Sequence, residues 1–315
     1  MRLLFVTHSL PPLGLPMENI GGMQRVALDL HDSLNSRADI EVVSLVLRSR
    51  WRDRSYRTPV FLARALREIR QLARAREIDA ILFTSMVTAS VAIPLRRLLR
   101  ASGIATAAIA NGLDVTTPVW PYPSLVRKTF DAIDVTLPIS SATAAACRSR
   151  GLPEHKSRVV PLGVRLDRFG NADREASRAK LIEAAFPNGT ALPSRLVLSS
   201  VGRLVPRKGV AWFVSEVMPL LPPDVVFVVA GDGEDRRRVE AAITERNVSD
   251  RVRLLDEITD SQLETLYAGS DLFIMPNVTV DGDMEGFGLV MLEAGLSGVP
   301  TVASAIEGIA DVITE

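Results

Sequence analysis

Short apolar runs alternate with helical periodicity from one end of the chain to the other. In the first half the apolar runs predict strands at Leu3–Val6, Ile40–Leu47, Ala80–Phe83, Thr106–Ala110, Val135–Pro138 and Arg158–Pro161. Between them, apolar residues spaced three and four apart predict helices over Met23–Asn35, Val60–Arg76, Thr88–Arg100 and Ala142–Arg150. The second half repeats the rhythm. Its strands are predicted at Leu196–Val201, Val225–Ala230, Val252–Leu255, Leu272–Met275 and Thr301–Ala303, its helices over Gly209–Leu220, Asp235–Arg246, Ser261–Ala268 and Gly288–Leu296. Continuous apolar strands separated by helices mean parallel sheets covered on both faces. Two such sets in tandem predict an α/β protein of two doubly wound, Rossmann-like domains.

The length of 315 residues agrees with two domains. The expected boundaries are 1–165 for the first domain, 166–194 for a linker region and 195–315 for the second. The linker includes a mixed-charge helical piece, Arg174–Phe186, and the breaker run PNGTALPS. Ligands of open α/β sheets bind beyond the carboxyl ends of the strands, so two such domains facing across a cleft would line it with their glycine turns.

Composition is globular, with 47% hydrophobic residues and 37 basic against 37 acidic. The balance hides an asymmetry: residues 1–160 carry 22 basic and 13 acidic side chains, a net of +9, and the remainder a net of −9. The first half is therefore expected to face something anionic. A single cysteine, Cys147, excludes an intrachain disulfide, and three scattered histidines offer no metal spacing. No window approaches about 18 uninterrupted apolar residues, the length a spanning helix needs. The apolar stretch at the start is too short for a signal peptide. A cytoplasmic protein is expected.

The most specific chemical signal is Glu285-Gly-Phe-Gly-Leu-Val-Met-Leu-Glu293. Gly286 and Gly288 permit close backbone approach and a tight entry into a helix. The first amides of that helix, at Leu289 and Val290, lack intrahelical acceptors and form an anion site with the helix dipole. Glu285 lies on the entry loop and Glu293 inside the helix, so the two carboxylates can address the hydroxyls at opposite ends of one elongated ligand. A second signal is Val201-Gly-Arg-Leu-Val-Pro-Arg-Lys-Gly209, where Arg203 and Lys208 follow a strand end and suit a diphosphate. Weaker glycine turns lie at Gly21–Gly22 and in GDGED (231–235). The latter lacks a full dinucleotide fingerprint, so a nicotinamide cofactor is not expected.

In these segments the chain resembles the family 4 glycosyltransferases of GT-B architecture, which are retaining and use nucleotide sugars. The resemblance runs in order through the turn at 21–22, VVPLGVRLDRF (159–169), VGRLVPRKG (201–209), VVAGDGED (228–235), YAGSDLFIMPN (267–277) and EGFGLVMLE (285–293). It implies transfer of a hexose-type sugar from a UDP-, GDP- or ADP-linked donor to a glycan or lipid-linked hydroxyl, without metal or other cofactor. It places Glu285, Arg203, Lys208 and Asn111 at the catalytic centre. Gly21, Gly22, Gly202, Gly231, Gly286, Phe287, Gly288, Leu289, Val290 and Glu293 would complete the donor site, Glu293 at the nucleotide ribose. Two departures stand out. Asn111-Gly-Leu-Asp114 occupies the place where the family often has His-Gly-x-Asp, and an amide cannot shuttle a proton as an imidazole can. The chain also stops at Glu315, where similar proteins continue, so the second domain is expected to be truncated.

Alternatives stay open at this level. Binding of a nucleotide sugar without turnover is one, and a nucleotide-sugar epimerase another. A glycosidase is disfavoured because it needs no cationic phosphate clamp, and Asp281-Gly-Asp283 resembles a metal-binding motif most simply by chance. Between Arg48 and Arg76 lie ten arginines and two acids. Leu62, Leu66, Ile69 and Ala73 fall on one helical stripe there, with Arg64, Arg67 and Arg74 away from it. This reads either as an interfacial helix on anionic lipid, making the protein peripheral on the inner face of a membrane, or as a core-facing helix with a solvated basic face. Nucleic acid is not expected, because the basic stretch lacks interleaved aromatics. Trp120-Pro-Tyr-Pro123 reads as a rigid loop, with Trp120 available to an acceptor sugar.

Overall fold

Alternation of buried strands and amphipathic helices is what the computed structural model contains; it describes residues 1–12, 22–49, 53–170, 172–186 and 196–313. The chain divides into two units, one formed by Asn19–Gly163 with the first strand and the short segment Gly282–Phe287, the other by Val164–Asp281 and Gly288–Glu315.

In the N-terminal unit the elements run β1 (Arg2–Leu10), α1 (Gly22–Asn35), β2 (Glu41–Arg48), α2 (Arg54–Ala75), β3 (Ala80–Phe83), α3 (Met86–Ala89), α4 (Ala92–Ala101), β4 (Ala105–Ala110), α5 (Leu113–Thr116), α6 (Tyr122–Ala132), β5 (Val135–Pro138) and α7 (Ser141–Ser149). All strand pairs are parallel, in the order β2-β1-β3-β4-β5. The order reverses between β1 and β3, the point where open sheets of this kind take their ligands. β1 is buried along nearly its whole length because both of its faces are covered. Phe61, Ala65, Ile69 and Ala73 of α2 join the core beside Leu4, Val6 and Phe83.

The C-terminal unit runs α8 (Arg174–Ala185), β6 (Leu196–Val201), α9 (Val210–Trp212), β7 (Val225–Ala230), α10 (Arg236–Glu245), β8 (Val252–Leu255), α11 (Asp260–Ala268), β9 (Leu272–Met275), α12 (Leu289–Leu296) and β10 (Thr301–Ala303). Its sheet is also wholly parallel, in the order β10-β9-β6-β7-β8, with the reversal between β6 and β9. Two five-stranded parallel sheets, each helix-covered, are the α/β architecture that the apolar pattern predicts.

The differences are local and have causes. Arg158–Pro161 is not a strand: after a single bridge from Ser157 to Thr136, the Arg158 and Val160 amides bond Thr136 and Pro138 as an extended tail. Arg158, Val159 and Val160 are exposed there, which no core strand tolerates. The helix expected over Thr88–Arg100 is two helices, because Pro94 has no N–H to give the Ser90 carbonyl and the run restarts at Ala92. Ser85 caps the first of them by accepting from the Thr88 amide. Gly209–Leu220 likewise breaks: after α9 the turns widen over Phe213–Val217 and tighten over Met218–Leu220, where Pro219 removes the donor for Ser215. The loop expected at Trp120–Pro123 instead opens α6, with Pro123 in its first turn where no N–H is required. The apolar stripe of α2 faces the core: Ile69 is fully buried and Leu62 and Leu66 pack against the same cluster. It is therefore not an interfacial stripe.

Candidate functional site

In the C-terminal unit the edge of the sheet is built almost entirely from backbone. β6 ends at Gly202, whose amide bonds the Ala230 carbonyl, and the ladder continues past the strand ends through Leu204 to Asp232 and Asp235 to Leu204. This zipper needs glycine at two positions, 231 and 233. A methyl at Gly231, where φ is +134°, would run into the Gly202 carbonyl, and one at Gly233 into that of Leu204. Gly209 (φ +66°) lies as closely on the Pro276 carbonyl, and the Val278 amide bonds the Arg207 carbonyl. The loops after β6 and β9, the two strands at the reversal, are thus stitched to each other.

That stitching positions the cations. Pro206–Lys208 form a tight turn in which the Lys208 amide bonds Val205. A methyl at Gly202 would stand 3.8 Å from Lys208 Nζ, so the ammonium lies over the glycine turn at the end of β6. Arg203 is exposed and Lys208 half-buried. Both come from the loop directly beyond β6.

α12 begins at Leu289 from Gly288, a left-handed residue (φ +91°) with no side chain capping the helix. Leu289 is buried and Val290 half-buried at this uncapped first turn, and Phe287 is buried just before it. The two acids of the motif differ in setting. Glu285 is half-buried and belongs to the segment Gly282–Phe287 that groups with the N-terminal unit. Glu293 is 3% exposed. Its Oε2 accepts from the Tyr267 hydroxyl at 3.0 Å, and its Oε1 lies 3.5 Å from an Arg168 nitrogen. Arg168 also donates to Asp260 at 2.9 Å and stacks 4.8 Å above the Phe169 ring. Sequence reasoning missed Tyr267 and Arg168, although both fall inside the segments that carried the resemblance.

In the N-terminal unit the sheet edge is finished by side chains. The Thr84 hydroxyl donates to Thr7 at 2.9 Å, and Ser85 Oγ and His8 Nδ1 share a hydrogen bond at 3.4 Å. Asp114 is buried and accepts from the Met86 amide (3.0 Å), the Asn111 amide (2.8 Å) and Asn111 Nδ2 (3.3 Å). Burial pushes its carboxyl above the ordinary range, against the lowering effect of these donors. Asn111 Nδ2 donates also to the Thr84 carbonyl at 3.0 Å. Asn111 is therefore a crosslink between the ends of β3 and β4. The Asn111 carbonyl lies against Gly286, where any Cβ would collide with it, so the EGFG segment reaches this loop by a backbone contact only glycine allows. Tyr122 OH donates to the Asp114 carbonyl at 2.7 Å. Cys147 is buried, and burial followed by the Asp114 charge raises its thiol to about 12, which leaves it a small hydrophobe.

Gly22 is the first residue of α1, with none of the described residues within 4 Å of the place a Cβ would take, and Gly21 lies outside the described residues. Among the described residues no cluster of His, Cys, Asp and Glu could hold a metal ion. No described helix is long and apolar enough to cross a membrane.

The fold is similar to that of known proteins over the whole chain. HepE of Anabaena, solved with UDP and glucose, superposes with a TM-score of 0.72 at 17% identity, over 100% of this chain and 83% of that one. Sucrose-phosphate synthase of Thermosynechococcus elongatus gives 0.76 at 18%, over 99% and 83%. The fold is GT-B. Residues 20–168 match the family described as Glycosyltransferase Family 4, and residues 183–315 that described as Glycosyl transferases group 1. The chain belongs to the family 4 glycosyltransferases. A GDP-mannose-dependent monoacylated alpha-(1-6)-phosphatidylinositol monomannoside mannosyltransferase of Corynebacterium glutamicum is 30% identical over 78% of this chain. A GDP-mannose-dependent alpha-(1-6)-phosphatidylinositol monomannoside mannosyltransferase of Mycobacterium tuberculosis is 29% identical over 75%. The chain spans 63% and 60% of the length of these two relatives.

Proposed function

We propose that this chain takes a hexose from a nucleoside-diphosphate sugar and passes it, with retention at the anomeric carbon, to a hydroxyl of a glycan or lipid-linked glycan. The observation that carries this reading is the loop beyond β6, which sets Lys208 over the Gly202 turn next to Arg203, at the strand where the sheet order reverses. In this reading the two cations and the uncapped amides at Leu289 and Val290 bind the diphosphate and stabilise the charge it gains as it leaves. Glu285 and the Gly286–Gly288 backbone hold the sugar. Glu293 reaches the ribose by exchanging its longer bond, the 3.5 Å contact with Arg168, while Tyr267 keeps the other oxygen fixed.

The bond from the anomeric carbon to phosphate oxygen breaks, and the bond to the acceptor oxygen forms on the same face. The acceptor proton goes to the departing phosphate oxygen. No imidazole is needed, which accommodates an Asn111 whose amide is engaged with Thr84 and Asp114. Metal is not required in this scheme, since fixed cations supply the charge.

The Arg203→Ala, Lys208→Ala double variant is expected to abolish transfer and leave the melting curve of the unliganded protein intact; undiminished turnover would overturn the proposal. GDP-mannose heads the donor panel, because two relatives are named for it. A donor at 100 times its Kd should stabilise the protein by about 2.7 kcal/mol. The engagement of Asn111 favours a second reading, nucleotide-sugar binding without turnover. Stabilisation by a donor with no sugar reaching any acceptor would select it.

A further inference from the structure

Arg168 lies in the turn ahead of α8, and its neighbours hold that turn against the C-terminal unit. Phe169 is buried edge to face against the Tyr267 ring, with centroids 5.5 Å apart. Gly170 (φ +96°) lies so close to the Leu296 carbonyl, the last of α12, that an added methyl would collide with it. The Arg168 guanidinium itself stacks 4.8 Å from the Phe169 centroid. A long, rotamer-rich side chain is thereby presented to α12 from a rigid base, with 16% of it left exposed.

The guanidinium divides its contacts unequally. Nη2 donates to Asp260 Oδ1 at 2.9 Å, whereas Nη1 stands 3.5 Å from Glu293 Oε1, at the outer limit of a hydrogen bond. Asp260 is a fixed anchor: it is the first residue of α11, whose start is closed by the reciprocal pair of Thr259 and Gln262. A hydrogen bond needs contact, but the attraction between charges falls off only slowly with distance. Glu293 needs that attraction. Its side chain is 4% exposed, and a carboxylate at such depth takes up a proton unless a positive charge is near. Arg168 thus gives Glu293 a counter-charge through a contact long enough to be exchanged.

We propose that Arg168 is a positioning residue for nucleotide selection: it keeps Glu293 ionised and in place, so that the carboxylate distinguishes a ribonucleotide from a deoxyribonucleotide. The inference rests on the reading of Glu293 as the ribose ligand given above. In that reading a ribose hydroxyl replaces the 3.5 Å contact at Oε1, and the guanidinium, tied to Asp260, stays beside the pair as a charge. A hydroxyl donating to an ionised carboxylate makes a bond roughly twice as strong as one to a neutral acceptor. A protonated Glu293 would carry a donor of its own and lose that advantage. Recognition of the sugar hydroxyls then depends on a side chain that does not touch the nucleotide.

The test is a binding cycle on the full chain by calorimetry, with GDP, UDP and ADP each set against its 2′-deoxy and 3′-deoxy counterparts. The unaltered protein is expected to prefer the ribonucleotide it binds best over a deoxy counterpart by about tenfold or more. Arg168→Gln keeps a hydrogen-bond donor without the charge and should compress that preference to about threefold or less. Arg168→Lys keeps the charge and should retain most of it. Arg168→Met carries the same expectation as the Gln variant and serves if that one does not fold. Lost packing alone would weaken both kinds of nucleotide equally and leave their ratio unchanged. An unchanged ratio in Arg168→Gln, or equal compression in Arg168→Lys, would therefore overturn the proposal. Glu293→Gln separates this failure from the other: if it abolishes the preference while the Arg168 variants keep it, Glu293 remains the ribose ligand and Arg168 has no part in it. Equal binding of ribo- and deoxyribonucleotides by the unaltered protein, or binding of none of the three, would remove the reading of Glu293 and this inference together.

Discussion

The two sheets share a five-stranded parallel layout, yet their carboxyl edges are finished in different materials. In the N-terminal unit hydroxyls, an amide and the buried Asp114 tie β1, β3 and β4 together. In the C-terminal unit glycines lie against carbonyls and leave the loop beyond β6 to present cations. A side-chain network is closed on itself and responds to protonation. A backbone edge is indifferent to pH but intolerant of a methyl group at Gly209, Gly231 or Gly233. The two edges therefore differ in build: side-chain hydrogen bonds close one, while in the other a glycine backbone sets Arg203 and Lys208 just beyond β6.

The strongest way to break the second edge is Gly231→Ala. The methyl meets the Gly202 carbonyl at a φ that L-residues rarely adopt, so a loss of about 3 kcal/mol or more is expected. Hydrogen exchange should show β6 and β7 deprotected while β1 and β3 keep their protection; normal protection in β6 would refute the zipper. Next in size is Tyr267→Phe, which leaves the buried Glu293 with one donor fewer and should cost about 1.5–3 kcal/mol by urea unfolding.

Protonation sharpens the comparison further, because one acid in each unit is shifted in opposite directions. Burial alone would raise Asp271, but the Val197 amide and the Arg178 and Arg174 guanidiniums outweigh it and hold the carboxyl below its ordinary 3.8. Its contribution is fully present above that ordinary value and is lost as pH falls through the lower folded one. Asp114 is raised, so the folded state holds its proton longer than the unfolded chain does. Stability on its account declines as pH rises from the ordinary carboxylate range through the raised value. Asp271→Asn should therefore flatten the acid limb of a stability–pH curve, and Asp114→Asn should remove a decline on the alkaline side of it. Two variants with the same pH profile would contradict these assignments. The smallest effect is expected of Gly22→Ala at the start of α1, where none of the described residues lies within 4 Å of the added methyl. The change should stay within about 0.5 kcal/mol by the same urea measurement.

Strands were the most legible part of the fold, because runs such as Val225–Ala230 are apolar on both faces and can only be interior. Prolines in helices were the least legible. Pro94 and Pro219 interrupt helical periodicity without changing it, whereas Pro123 opens α6 from a segment that reads as a loop. Arg158–Pro161 has the composition of a strand, yet it runs along β5 with Arg158, Val159 and Val160 exposed, so nothing buries it. In the candidate site, the Arg203–Lys208 loop and the EGFG entry were visible because glycine spacing and charge are local features. The partners of Glu293 were not, since Arg168 and Tyr267 lie 125 and 26 positions away.

The sequence by itself determined that two parallel α/β sheets form, where their glycine turns fall and which residues bear charge, because period, chain stiffness and composition are properties of short segments. It left α2 with two faces of equal plausibility. Only the tertiary structure decided that the leucine stripe turns inward and the arginine stripe outward, that Asn111 is bound up in a wall, and that Glu293 is shared between Tyr267 and Arg168. Each of these depends on which remote segment arrives next to a side chain, and a burial preference becomes a direction only once that neighbour is in place.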